Sequence, residues 1–184
     1  MKIVILNGNS DAGNKEFEKY LAEFSAGLVK NGHEPEILTL RDMNIRYCTG
    51  CWGCWVKTPG ACVLKDDSMT VCDKVINSGM FILASPLSMG YPSSLLKKTM
   101  DKLIPLVHPY AMVYKKEMHH KKRYQKDYPS IAILFQKEND TDEDDIRILR
   151  VLFDRLGINF HSDVKRLFLT ETSPMEAADE INRI

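Results

Sequence analysis

Short β-branched apolar runs alternate with amphipathic stretches along the whole chain, and that rhythm restricts the possible folds more than any other feature. "KIVIL" runs into the polar, glycine-rich "NGNSDAGN", the composition of a strand followed by a loop. Phe17, Tyr20, Leu21, Phe24 and Leu28 then recur at i, i+3, i+4, i+7 and i+11, one apolar stripe on a helix that "NGH" stops near Gly32. "EPEILTL" reads as a second strand, and "DDSMTVCDKVINSG" as a helix with acids at its positive end. "MFILAS" is a third, fully buried strand, ended by Pro86, and "PSSLLKKTMDKLI" is a helix with Pro92 at its start. "SIAILFQ" is a fourth strand. "TDEDDIRILRVLFDRLG" is a helix with Thr141 and Asp144 as its capping pair and Ile146, Leu149, Leu152, Phe153 and Leu156 as its stripe. "VKRLFLT" and "SPMEAADEINRI" supply a fifth strand and a closing helix with Pro174 in its first turn. Two stretches break the rhythm: the cysteine-rich segment after the second strand, read as a loop, and Val107 to Tyr128, read as a solvated basic excursion.

Strands that alternate with helices imply a parallel sheet covered on both faces. Five strands and five helices in 184 residues match a single three-layer α/β domain, residues 1–184, with a doubly wound five-stranded parallel sheet of order 2-1-3-4-5. No repeat or linker suggests a second domain. In such sheets ligands sit beyond the carboxyl ends of the strands, at the switch point between strands one and three. That rule selects residues 7–15, 86–91 and roughly 136–140. Twenty-five basic and twenty-five acidic residues cancel, which argues against nucleic acid as a partner. The most apolar run, "MFILASPL", is too short to cross a bilayer, so no membrane role is expected. The apolar run Ile3–Leu6 is shorter than the ~7–15 residues of a signal core, so cytoplasmic residence is expected, where structural disulfides are rare.

The first selected loop leads into a helix N-terminus, and Asn9, Ser10, Asn14 and Lys15 are candidate donors to a phosphate there. It carries neither the P-loop ending nor the dinucleotide G-x-G-x-x-G spacing. The second, "SPLSMGYP", exposes backbone amides beside Pro86 and Gly90, suited to running flat along a planar ligand; a plain strand-to-helix turn is the alternative. "YCTGCWGCWVKTPGAC" holds four of the five cysteines. Cys48, Cys51 and Cys54 are spaced C-x2-C-x2-C, and Cys62 follows seven residues later. Structural zinc usually takes two C-x2-C pairs further apart, whereas cysteines at intervals of three in one loop suit a four-iron four-sulfur cluster. Packed or loosely held thiols are the other open reading. Cys72 falls within a helix and is expected in the core. His119 and His120, in a run of Lys and Arg, are expected at the solvated surface, and Lys121, Lys122 and Arg123 are candidates for the phosphates of a nicotinamide donor.

Taken in order, "ILNGNSDAGN", "YCTGCWGCWVKTPGACVLKDD" and "ASPLSMGYPSSLLKKTMDKL" resemble the NADPH-dependent FMN reductase and iron–sulfur flavoprotein group of the flavodoxin-like superfamily. The resemblance implies FMN at the carboxyl edge of the sheet, with its phosphate on Asn9, Ser10, Asn14 and Lys15 and its ring on Pro86, Leu87, Ser88, Met89 and Gly90. It departs from the family where Asn9 replaces a Ser, Asp11 stands where a basic residue is frequent, and Lys15 replaces a Thr. It implies an FMN-dependent oxidoreductase that passes electrons from reduced nicotinamide, NAD(P)H, through flavin to a quinone, a free flavin or another small-molecule acceptor. The alternative is an iron–sulfur flavoprotein electron carrier fed by a ferredoxin-like protein, with Cys48, Cys51, Cys54 and Cys62 as cluster ligands. Either is expected as a homodimer or homotetramer.

Overall fold

The computed structural model describes residues 1–184. Its elements, in chain order, are β1 (Lys2–Asn7), α1 (Lys15–Lys30), β2 (Glu34–Thr39), α2 (Gly53–Val56), α3 (Ser68–Ile76), β3 (Met80–Ser88), β4 (Tyr91–Pro92), α4 (Ser94–Asp101), β5 (Val107–Tyr114), β6 (Glu117–Lys122), β7 (Ser130–Gln136), α5 (Glu143–Asn159), β8 (Val164–Leu169) and α6 (Pro174–Ile181). The five long strands form one parallel sheet in the order β2-β1-β3-β7-β8, which is the expected 2-1-3-4-5 topology.

Side-chain alternation divides the core between the two faces of the sheet. Val4, Leu6, Phe81, Leu83, Ile131, Ile133 and Phe135 pack under α3, α4 and α5. Ile3, Ile5, Met80, Ile82, Ala132 and Leu134 pack under α1 and α6. Because both faces are covered, the strands read as unbroken apolar runs rather than as alternations. The α1 stripe is buried as expected, as is Cys72.

Four local expectations are corrected. β3 does not stop at Pro86 but continues to Ser88, and its partner β7 ends opposite Pro86 at Gln136, where a missing N–H costs little. The chain then turns through Met89 and Gly90 and returns as β4, antiparallel to β3. The cap of α5 lies one residue later than expected: Asp142 accepts from the Asp145 N–H, and Asp145 accepts from the Asp142 N–H. Leu152 is exposed with Ile148 and Val151, so α5 carries a second, outward apolar stripe beside the buried Leu149 and Phe153. Residues from Val107 to Lys122 form the β5–β6 hairpin. Its tip, Lys115–Lys116, has positive φ at both positions, a turn usually signalled by Asn-Gly, so the sequence carried no hairpin cue.

Candidate functional site

The carboxyl ends of β1 and β3 meet where the strand order reverses, and close contacts lock the two loops together. The Gly8 N–H donates to Ala84 O at 2.7 Å, and Ser93 Oγ donates to Gly8 O at 2.5 Å. A Cβ at Gly8 would stand 2.6 Å from Leu96 Cβ, so only glycine lets the first loop pass α4 this closely. Ser93 also caps α4, its hydroxyl accepting from the Leu96 N–H, and its backbone N–H donates to Ser85 Oγ at 3.0 Å, so one residue ties helix, strand end and first loop together.

Beyond Gly8 the first loop is held by its own side chains. Asn9 is 1% exposed, its amide donating to Glu18 at 2.6 Å and its carbonyl oxygen accepting from the Asp11 N–H. Asn14 caps α1 by accepting from the Phe17 N–H and donates to Gln136 at 2.7 Å, tying the loop to the end of β7. Asp11 turns back to accept from the Gly13 N–H. These bonds leave the N–H groups of Ser10, Ala12 and Glu16 without an intramolecular acceptor at the open end of a sixteen-residue helix. Ser10 and Lys15 are exposed beside them. Of the four expected phosphate residues, Ser10 and Lys15 are thus free to meet an anion, whereas the side chains of Asn9 and Asn14 shape the loop.

Sequence reasoning missed the residues beneath this loop. Glu18 accepts from Asn7, from Asn9 and, at 2.6 Å, from Arg41, which also donates to Asn9 O at 3.2 Å. Burial alone would raise the Glu18 carboxyl, but the bonds from Arg41, Asn9 and Asn7 outweigh it and hold its pKa below the ordinary value. Nothing in the spacing of Asn7, Glu18 and Arg41 signals this, because three separate elements bring them together.

At the β3–β4 turn, Pro86, Leu87 and Ser88 are strand residues, while Met89 (φ 54°) and Gly90 (φ 72°) form the tip. Met89 is 95% exposed. The N–H groups of Met89 and Gly90, expected to face a planar ligand, both donate to the Glu138 carboxylate at 3.0 Å. Glu138 comes from the third selected loop, so loops after β3 and β7 close on each other. A concavity of about 440 Å³ beyond β7 and β8 is lined by Glu16, Glu138 and Glu171 together with Lys137, which pairs with Glu171 at 2.9 Å.

The cysteine segment packs against the end of α4 and the start of the hairpin. Gly53 starts α2 in contact with Val63, and the Trp55 indole N–H donates to Val107 O at 3.0 Å, fixing the loop against β5. Cys48, Cys51, Cys54 and Cys62 all line one apolar cavity of about 80 Å³, together with Trp52, Val63, Leu64, Lys102, Ile104 and Pro105. That is well below the roughly 300–1,000 Å³ of organic-ligand pockets. No three His, Cys, Asp or Glu side chains converge tightly enough to hold a single metal ion. The four thiols stand around a cavity instead, an arrangement suited to a polynuclear cluster in which each thiolate binds its own iron. Burial, then the neighbouring Cys62, Cys48 and Cys51, raise the Cys54 thiol, so bringing four thiolates together here requires cationic compensation. Bonds from the Gly53 N–H and the Thr49 side chain lower the exposed Cys51 thiol. The fifth cysteine is different: burial pushes Cys72 up to about 12, an inert core thiol.

The basic excursion is more structured than expected. His119 is 5% exposed, held by Asn159 at 2.8 Å and Glu117 at 3.1 Å, and Glu117 also pairs with Arg155. Arg123 donates to the carbonyls of Pro105 and Val107, and Lys122 reaches the Lys126 carbonyl. Of the three cations considered for a nicotinamide phosphate, only Lys121 is exposed without an internal partner.

A parallel 2-1-3-4-5 sheet with an anion-ready first loop at its switch point defines a flavodoxin-like protein. The family model described as NADPH-dependent FMN reductase matches residues 1–123, and the chain belongs to that family. It is 33% identical over 103 residues to an iron–sulfur flavoprotein of Archaeoglobus fulgidus, covering 55% of this chain and 48% of that protein. A second iron–sulfur flavoprotein, from Methanocaldococcus jannaschii, is 31% identical over 107 residues, covering 58% and 53%. The chain thus spans about half the length of these curated relatives. Among solved structures, the NAD(P)H:quinone oxidoreductase of Methanothermobacter marburgensis superposes with a TM-score of 0.65 at 19% identity, covering 99% of this chain and 93% of that one. An FMN-dependent NADH-azoreductase of Bacillus anthracis does so with a TM-score of 0.61 at 14% identity, covering 99% and 96%. These two likenesses extend the shared fold through the residues beyond 123.

Proposed function

We propose that this chain is an FMN-dependent oxidoreductase that takes electrons from reduced nicotinamide and delivers them to a small-molecule acceptor such as a quinone or a flavin. The observation that carries the reading is the first loop, whose three unpartnered N–H groups, Ser10 hydroxyl and Lys15 ammonium gather at a helix N-terminus on the switch point. FMN, when bound, supplies the hydride-accepting chemistry. The protein's share is to hold and orient. Ser10, Lys15 and the free amides would bind the phosphate, and Asn9 and Asn14 would keep the loop in shape. The segment Pro86–Gly90 would present its edge to the ring, with the Met89 and Gly90 N–H groups available once Glu138 lets go. No side chain at this site is assigned as a general acid or base. Lys121 is the cation best exposed to meet a nicotinamide phosphate.

The four-cysteine cavity favours a second reading, an iron–sulfur flavoprotein in which Cys48, Cys51, Cys54 and Cys62 hold a four-iron four-sulfur cluster and a ferredoxin-like protein is the electron donor. Its support is the shared cavity and the names of the two archaeal relatives. Exposed Ile148, Val151 and Leu152 on α5, with Val113 and Met118 on the hairpin, support a homo-oligomer. No helix is long and apolar enough to cross a membrane.

A visible spectrum of anaerobically purified protein, with iron and zinc counted, tests both readings. Resolved flavin bands that bleach rapidly with NADPH or NADH support the reductase. Bleaching only by a reduced ferredoxin, with about four irons per chain, supports the carrier. A colourless protein that binds no added FMN refutes both.

A further inference from the structure

Lys102 is the molecule's most unusual burial. It lies at the end of α4 with its side chain 2% exposed, and long cationic side chains are almost never buried without partners. Its ammonium has two. It pairs at 3.1 Å with Asp66, whose own side chain is 0% exposed, and it donates to Cys62 Sγ at 3.0 Å. Asp66 is in turn anchored by the Ser68 N–H, the Ser68 hydroxyl and the Arg46 N–H, so the ammonium cannot swing away from the sulfur without stranding a buried carboxylate. Lys102 is also a wall of the cavity that the four cysteines share.

We propose that Lys102 is the built-in counter-cation of the four-cysteine site, a positioning residue that stabilises added negative charge there through its N–H bond to Cys62 Sγ. The inference rests on the reading of Cys48, Cys51, Cys54 and Cys62 as cluster ligands. Four thiolates gathered on one small apolar cavity need positive charge close by, and each one-electron reduction adds a further negative charge. Lys57 and Lys65 are exposed, where water and salt screen them. Lys102 is buried, directed at a ligand sulfur and held there, and hydrogen bonds to such sulfurs set reduction potentials. Asp66 fixes the direction of the ammonium, and the N–H bond to Cys62 Sγ is the contact through which Lys102 acts on the site.

The test is an anaerobic dithionite titration of the iron-reconstituted full chain, followed by electron paramagnetic resonance, with iron counted in each sample. Lys102→Met keeps an unbranched side chain one atom shorter and removes its charge. It is expected to retain iron while shifting the oxidised-to-reduced equilibrium at least tenfold towards the oxidised form, a fall of about 59 mV for a one-electron couple. Lys102→Arg is expected to restore most of that shift. Should Lys102→Met fail to fold because Asp66 is stranded, the double variant Lys102→Met, Asp66→Asn leaves no buried charge, and a smaller fall in the same direction is expected from loss of the N–H bond to Cys62 Sγ. An unmoved potential in an iron-loaded variant overturns the role of Lys102 while leaving the cluster reading intact. A wild-type chain that takes up no iron overturns both.

Discussion

Glu18→Gln should loosen the first loop although the two side chains differ only in replacing one oxygen by an NH2. The carboxylate stands among donors only: the Asn7 amide at 3.2 and 3.1 Å, the Asn9 amide at 2.6 Å and Arg41 at 2.6 Å. The single carbonyl oxygen of the introduced amide can keep Asn9 and Arg41. Its NH2 must then face the Asn7 amide, and Asn7 cannot turn over, because its oxygen already accepts from the Asn9 N–H at 3.0 Å. The variant therefore loses one bond outright, and the charge that strengthens the others is gone. Hydrogen bonds to charged groups contribute about 1.5–3 kcal/mol. The side chains of Glu18 and Arg41 are 26% and 23% exposed, so solvent screening trims the expected loss to about 1–2 kcal/mol. For a domain of this size that lowers Tm by roughly 2–8 °C. Urea unfolding should show the midpoint falling with the slope unchanged. Because Asn9 shapes the anion loop, FMN affinity should fall as well.

The pH dependence has a defined sign. The folded Glu18 pKa lies below the ordinary value of 4.5, so its contribution is present above 4.5 and is lost as pH falls through the lower, folded value. The gap in stability between wild type and Glu18→Gln should be full near neutrality and shrink in acid. A loss under about 0.5 kcal/mol at neutral pH, or a gap that widens as pH falls, refutes the network as described.

Gly8→Ala forces a Cβ to within 2.6 Å of Leu96 Cβ, and overpacking of this kind costs about 1–3 kcal/mol, readable in the same urea titration. Met89→Asn should stabilise the chain by a few tenths to about 1 kcal/mol, since Asn tolerates the positive φ that Met does not, while weakening FMN binding measured by flavin fluorescence. Phe135→Ala removes a fully buried ring packed 5.4 Å from Phe153 and should cost about 3–5 kcal/mol. Lys121→Ala should raise the KM for the nicotinamide donor with kcat little changed; an unchanged KM excludes Lys121 from donor binding.

The order of elements was legible in the residues themselves. Apolar runs bounded by turn residues located all five long strands, stripes at helical spacing located α1 and α5, and opening acids or prolines marked α3, α4 and α6, because burial on both sheet faces leaves a local imprint. The placement of a candidate site at the switch point followed from topology alone. So did the grouping of Cys48, Cys51, Cys54 and Cys62, which lie close in the chain. What the sequence could not show depends on contacts between distant residues. Glu138 meets the amides of Met89 and Gly90, and Asp66 meets Lys102 beneath Cys62, across separations no periodicity records. Asn9 carries the side chain of a phosphate ligand, and tertiary packing turned it inward to Glu18. A residue type states which bonds a side chain can make, and only the fold determines which partners are near enough to make them.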